Sequence, residues 1–116
     1  MNKFEEIIDI YILNYDTYKN GKVVFEYEYG ELIFFKQNPK IITLFGIYIY
    51  PEYRQQGLCR SIFHYLIEKS TNKFQYLCIE SVLSKVLYEY LERFKYKNRQ
   101  FKNRKDGWFF KLFYTF

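Results

Sequence analysis

Between residues 41 and 70 the hydrophobic period changes once, and abruptly. Residues 41–50 are an almost continuous β-branched and aromatic run, interrupted by Thr43 and Gly46 and stopped by Pro51, which reads as one long strand. From Gly57 onward Leu58, Ile62, Tyr65 and Leu66 fall on one helical stripe, while Arg60, Ser61, His64 and Glu68 fall elsewhere, which predicts a helix to about Ser70. The chain must therefore build a strand that feeds a helix through a short turn.

The flanking segments supply partners for that unit. Asn2 and Glu5 have capping-box spacing, and Phe4, Ile7, Ile8 and Tyr11 recur at helical intervals, which predicts a first helix. After an Asn20-Gly21 turn, Val23, Phe25, Tyr27 and Tyr29 alternate with Glu26 and Glu28 as in a strand. Gly30 breaks that strand, Leu32 starts another that runs to Phe35, and Asn38-Pro39 turns the chain into the long strand. An antiparallel meander is expected. Residues 74–81 read as a further strand, and Leu83, Val86, Leu87, Tyr90, Leu91 and Phe94 form the stripe of a third helix. Residues 99–116 read as a hairpin: a basic loop from Lys102, an Asp106-Gly107 turn, and an aromatic strand from Trp108 to Tyr114.

At 116 residues the chain has room for one core and not for two ordinary domains, so a single domain over 1–116 is expected. The 14 Tyr and 13 Phe offer ample surface to offset the entropy of ordering, which excludes disorder. No apolar run is long enough to span a bilayer, and the acidic start of the chain does not read as a secretory signal. With only Cys59 and Cys78 and no metal-ligand spacing, an intracellular, reducing, cytoplasmic setting without a metal site is expected. A net charge of +5 fits attraction to nucleic acid, phosphate-rich cofactors or acidic proteins, and equally a solubility charge.

The turn carries the chemistry. A turn that feeds a helix N-terminus leaves backbone N–H groups unpaired at the positive end of the helix dipole, an arrangement suited to a pyrophosphate. Gly57 lets the backbone approach such an anion, and Arg54 and Arg60 flank it with positive charge. The competing reading makes Gly57 a plain turn residue and both arginines solvated.

In this order, Pro51, Arg54, Gly57 and Cys59 between a strand and a helix resemble the signature of the GNAT superfamily of acyl-CoA N-acyltransferases: a strand ending Val-x-Pro-x-x-Arg, then Gln/Arg-x-x-Gly-x-Gly/Ala and a helix. Cys59 replaces the usual small residue. The resemblance covers roughly residues 23–114 and implies an α+β fold: a mixed, mostly antiparallel sheet with a splayed central parallel strand pair, flanked by about three helices. It implies acetyl-CoA as co-substrate, with the backbone of Ile47 and Ile49 pairing with the pantetheine arm and Tyr48 between them counted among the cofactor-binding residues. Arg54, Gln55, Gln56, Gly57, Leu58, Cys59, Arg60 and Ser61 would then hold the pyrophosphate.

Transfer to an amine needs a base for the amine proton and an acid for the leaving thiolate. Glu80, at the end of a central strand, is the candidate base, its other reading being a carboxylate that favours a helix start. The residues 91–96, Leu-Glu-Arg-Phe-Lys-Tyr, stand where the family often has Tyr-x-x-x-Gly-Phe, so Leu91 occupies the position of the common tyrosine acid. Tyr88 and Ser84 lie one and two turns earlier on the same helix face and are the candidate acids, although most tyrosines of such a chain must be packing residues. His64 reads as a surface histidine. Cys59, with no base beside it, reads as a small residue in a phosphate turn rather than a nucleophile.

Two functions compete at this stage. One is an N-acetyltransferase acting on a primary amine of an unspecified acceptor. The other is a GNAT-fold module without turnover that binds nucleic acid or a partner protein through the basic 95–105 region, where Lys95, Lys97, Arg99, Lys102, Arg104 and Lys105 alternate with Tyr96 and Phe101. Monomer and homodimer both remain open.

Overall fold

The periodic segments between residues 3 and 70 find their elements. The computed structural model describes residues 3–79, Arg93, 101–106 and 109–115, the last two stretches as backbone. Helix α1 (Lys3–Leu13) buries Phe4, Ile7, Ile8 and Tyr11, one stripe of its surface, and carries Glu5 and Glu6 in its first turn, where the dipole favours them. The expected cap Asn2 and most of the expected third helix, including Glu80, Ser84, Tyr88 and Leu91, lie outside the described residues.

Strands β1 (Gly21–Tyr27), β2 (Gly30–Lys36) and β3 (Ile41–Ile49) form the expected antiparallel meander. After β3 the chain enters α2 (Leu58–Ser70) and returns as β4 (Tyr76–Ile79), which pairs in parallel with β3 from Ile41↔Tyr76 to Leu44↔Ile79. Parallel neighbours need a crossover, and α2 supplies it. Strands β5 (Phe101–Asp106) and β6 (Phe109–Thr115) complete a mixed sheet of order β1-β2-β3-β4-β6-β5.

Three expectations are corrected. Gly30 is not a break between strands but the first residue of β2, paired with both Tyr27 and Ile49. The fourth strand begins at Tyr76 rather than at 74, because the Phe74 N–H closes the last turn of α2 on the Ser70 carbonyl (3.0 Å) and its ring packs edge-on against Tyr15. The basic stretch from Lys102 is strand, not loop: it forms β5, at the outer edge of the sheet, where charged residues are commonly tolerated.

The core lies between the sheet and α1 and α2, which pack on each other and on one sheet face. Ile62, Phe63 and Leu66 of α2 meet Leu32, Phe34, Ile42, Leu44, Leu77 and Ile79 there. Tyr11 stacks on Phe34 with ring centroids 4.0 Å apart, and Tyr65 Oη donates to Asp9 Oδ1 (2.8 Å), tying α2 to α1. Tyr15 closes the far end: its hydroxyl donates to the carbonyls of Asn38 (2.8 Å) and Ile41 (3.1 Å), while Lys36 Nζ donates to the Tyr15 and Tyr18 carbonyls. These bonds fix where β3 starts.

Candidate acyl-donor site

The site lies at the C-terminal half of β3 and the turn that follows it. The register between β2 and β3 pairs Ile33 with Gly46 but Phe34 with Leu44, so Phe45 is an extra residue, a β-bulge. Its effect is visible in the burial parity. Before the bulge the even residues Ile42 and Leu44 face the helices; after it the odd residues Ile47 and Ile49 do. Among the described residues pairing with β4 runs from Ile41↔Tyr76 to Leu44↔Ile79, and the stretch 45–49 has a strand neighbour only on the β2 side.

Backbone alternation shows which groups face the open side. The Tyr50 N–H donates to the Tyr29 carbonyl (2.9 Å), so 29 and 50 are a hydrogen-bonded pair. Such pairs alternate with non-bonded ones along an antiparallel ladder. The pairs Glu31↔Tyr48 and Ile33↔Gly46 therefore turn their groups toward each other, while Ile47 and Ile49 turn their N–H and C=O groups away from β2. One of these is already used: Arg54 Nε donates to the Ile49 carbonyl (2.9 Å).

That bond also places the turn. Pro51–Tyr53 is a single 3-10 turn, and Tyr53 packs edge-on against Tyr29 (4.6 Å between centroids). Arg54 then runs back along the strand end with its guanidinium 5.6 Å from the centre of the Tyr48 ring, a cation–π distance. Its Nε serves the fold, which neither sequence reading, phosphate contact or a solvated arginine, included; a backbone acceptor leaves no signal in side-chain identity. Gln55 follows with φ 62°, unusual for a non-glycine residue and a small store of strain.

Gly57 is the N-cap of α2 with φ 75° and ψ 16°, the left-handed region. Ordinary helical dihedrals, which any residue could adopt, are the sequence expectation for a helix start; here the chain reverses hand before the helix begins, and glycine does this at least cost. No side chain caps α2, and the first intrahelical bond runs from Ser61 N–H to the Gly57 carbonyl (3.0 Å). The N–H groups of the first turn thus emerge beside an exposed glycine whose Cβ position has nothing within 4 Å. Gln55, Gln56, Gly57 and Arg60 are exposed, whereas Leu58 and Cys59 lean into the core.

The two ends of the site, the outward backbone of Ile47 and Ile49 and the turn from Arg54 to Ser61, are brought together through the bond from Arg54 to Ile49. Glu80, Ser84 and Tyr88 lie outside the described residues, and His64 is exposed on α2. Cys59 is half-buried against the core, and burial pushes its thiol above the ordinary value despite the helix N-terminus. Burial, with Cys59 nearby, also pushes the Tyr27 phenol up to about 12. A raised pKa means a smaller thiolate fraction at any pH below it. Cys59 is therefore expected to react with a maleimide more slowly at pH 7.5 than an exposed cysteine, with the rate still climbing above pH 9, as measured by mass spectrometry of the labelled protein.

A mixed sheet with a central parallel pair, a bulge in one strand of that pair, and a glycine turn and helix N-terminus at the end of the same strand has the architecture of the acyl-CoA N-acyltransferase, or GNAT, fold. Solved structures share it. A GNAT-family acetyltransferase from Elizabethkingia anophelis with acetyl-CoA bound aligns over 96% of this chain and 82% of its own, with a TM-score of 0.55 and 16% sequence identity. The Bacillus subtilis acetyltransferase in complex with CoA aligns over 99% and 86%, with a TM-score of 0.53 and 11% identity. A candidate acetyltransferase from Agrobacterium tumefaciens aligns over 100% and 93%, with a TM-score of 0.59 and 12% identity. No protein-family model matches the sequence, and no curated protein does. Among the described residues no helix is long and apolar enough to cross a membrane.

Proposed function

We propose that this chain is an N-acetyltransferase that takes acetyl-CoA as acyl donor and transfers the acetyl group to a primary amine. The observation that carries the reading is the coincidence, at one end of β3, of outward-facing Ile47 and Ile49 backbone with a helix N-terminus behind a left-handed glycine. The first suits an amide-rich pantetheine arm, which pairs as a strand would; the second suits a pyrophosphate. The open space at Gly57 and the uncapped first turn fit that anion. The neighbours with acetyl-CoA and CoA bound support the same ligand.

In this reading the Ile47 N–H and C=O and the Ile49 N–H hold the arm, the Ile49 carbonyl being engaged by Arg54. The amides from Gln55 to Arg60 hold the pyrophosphate, the Ser61 N–H being bonded to the Gly57 carbonyl, with Arg54 and Arg60 adding charge. The amine nitrogen attacks the thioester carbonyl, the new C–N bond forms and the C–S bond breaks. Glu80, which follows Ile79 in the chain, accepts the amine proton directly or through water, and Tyr88 or Ser84 donates a proton to the sulfur. A single-domain, cytoplasmic enzyme is part of the same proposal.

Acetyl-CoA is expected to raise the melting temperature, because a ligand of the native state alone stabilises by mass action, about 2.7 kcal/mol at a hundredfold excess over Kd. Differential scanning fluorimetry with millimolar acetyl-CoA measures this, and a thiol-release assay over a panel of amines tests turnover. No shift at all would sink the proposal; a shift without thiol release on any amine would leave binding and remove transfer.

A further inference from the structure

We infer that β1 is a self-recognition edge, by which two copies of this chain join their sheets in antiparallel register about a two-fold axis at Val24. Strand β1 is at the end of the sheet order, and among the described residues no strand lies on its outer side. Because Glu31 and Ile33 turn their backbone groups toward β3, Leu32 and Phe34 turn theirs toward β1, where their partners are Phe25 and Val23. Lys22, Val24 and Glu26 therefore present their N–H and C=O groups outward, as a template for another strand.

The side chains on those three residues say which strand. All are exposed, and Val24, 53% exposed, is one of few large apolar side chains left in solvent. Antiparallel pairing centred on Val24 puts Val24 opposite Val24 of the copy and Lys22 opposite Glu26 in both directions. The three outward residues then meet one another as hydrogen-bonded pairs, so backbone phase, charge and the apolar Val24 pair agree in this register. On the other face Val23 falls opposite Phe25, both partly buried against the core. Registers centred on Lys22 or on Glu26 set like charges directly opposite, which costs stability, and those centred on Val23 or on Phe25 set Val24 opposite Lys22 or Glu26 in place of a second valine. Lys22 Nζ is 4.8 Å from the centre of the Phe45 ring in the isolated chain, a weak exposed contact that rotation of its long side chain exchanges for Glu26 of the copy. An isologous contact of this kind closes on itself and does not propagate.

Sedimentation velocity between about 1 and 200 μM tests the inference, with circular dichroism to report folding. The parent chain is expected to shift from monomer to dimer over that range. Lys22→Glu and Glu26→Lys, each placing like charges opposite one another, are expected to weaken dimerisation at least tenfold, and the double exchange to restore it. Val24→Pro, which removes one outward N–H and leaves the bonds to β2 intact, is expected to give a folded monomer. A parent that stays monomeric at 200 μM overturns the inference. So does a dimer indifferent to the charge variants, or one that the double exchange fails to restore.

Discussion

Gly30→Ala is expected to cost about 3 kcal/mol or more and to lower the melting temperature by roughly 10 °C. Gly30 opens β2 at φ 155°, outside the range that side chains readily adopt, and a Cβ built there would meet the backbone carbonyl oxygen of Tyr48 at 1.8 Å. The obstacle is main chain, so no rotamer change relieves it; β2 and β3 must move apart at the pair Gly30↔Ile49. That is the end of β3 from which Ile47 and Ile49 face the proposed acyl-donor site, so acetyl-CoA affinity is expected to fall with stability. Gly46→Ala is the control. Its Cβ would meet only the Ile33 side chain at 3.5 Å, ordinary contact, and a change below about 1 kcal/mol is expected. Thermal and urea unfolding of both variants decide the point, and a Gly30→Ala protein as stable as the parent would contradict the close approach.

Gly57→Glu is expected to abolish acetyl-CoA binding, at least a hundredfold in Kd, while the protein stays folded. Two effects act at this position and can be separated. Any side chain at φ 75° carries backbone strain of about 1–2 kcal/mol, but the space is open, so strain is the whole structural cost. Glutamate adds a negative charge where the helix dipole and unpaired N–H groups favour an anion, and so competes with the pyrophosphate. Gly57→Ala has the strain without the charge and should bind within about tenfold of the parent. Isothermal titration calorimetry beside circular dichroism reads both. Full affinity in a folded Gly57→Glu protein would mean that the turn holds no phosphate.

Periodicity alone was enough for α1, β1, β3 and α2. The stripe Phe4, Ile7, Ile8, Tyr11 makes α1 because a helix returns to the same side at those intervals, and the alternation from Val23 to Tyr27 makes β1 because a strand does so every second residue. The strand-turn-helix succession with Arg54 and Gly57 in place pointed to the GNAT fold, since the turn must be built from local residues whatever surrounds it. Other features depended on partners distant in the chain. The basic stretch at 102–105 reads as loop until β6 pairs with it, and Phe74 reads as strand until its N–H is seen to close α2. The bulge at Phe45 has no signature in the residue itself. It is a mismatch between two strands, created only when Ile33 and Phe34 choose Gly46 and Leu44, and it alone turns Ile47 and Ile49 onto the core face. The left-handed dihedrals of Gly57 and the second duty of Arg54 likewise follow from how the turn must reach back to the Ile49 carbonyl. Amino-acid identity determines which way a segment curls and which side it buries; where the backbone of one segment is left unpaired is decided by the length and register of its neighbours, and that is what opens the site.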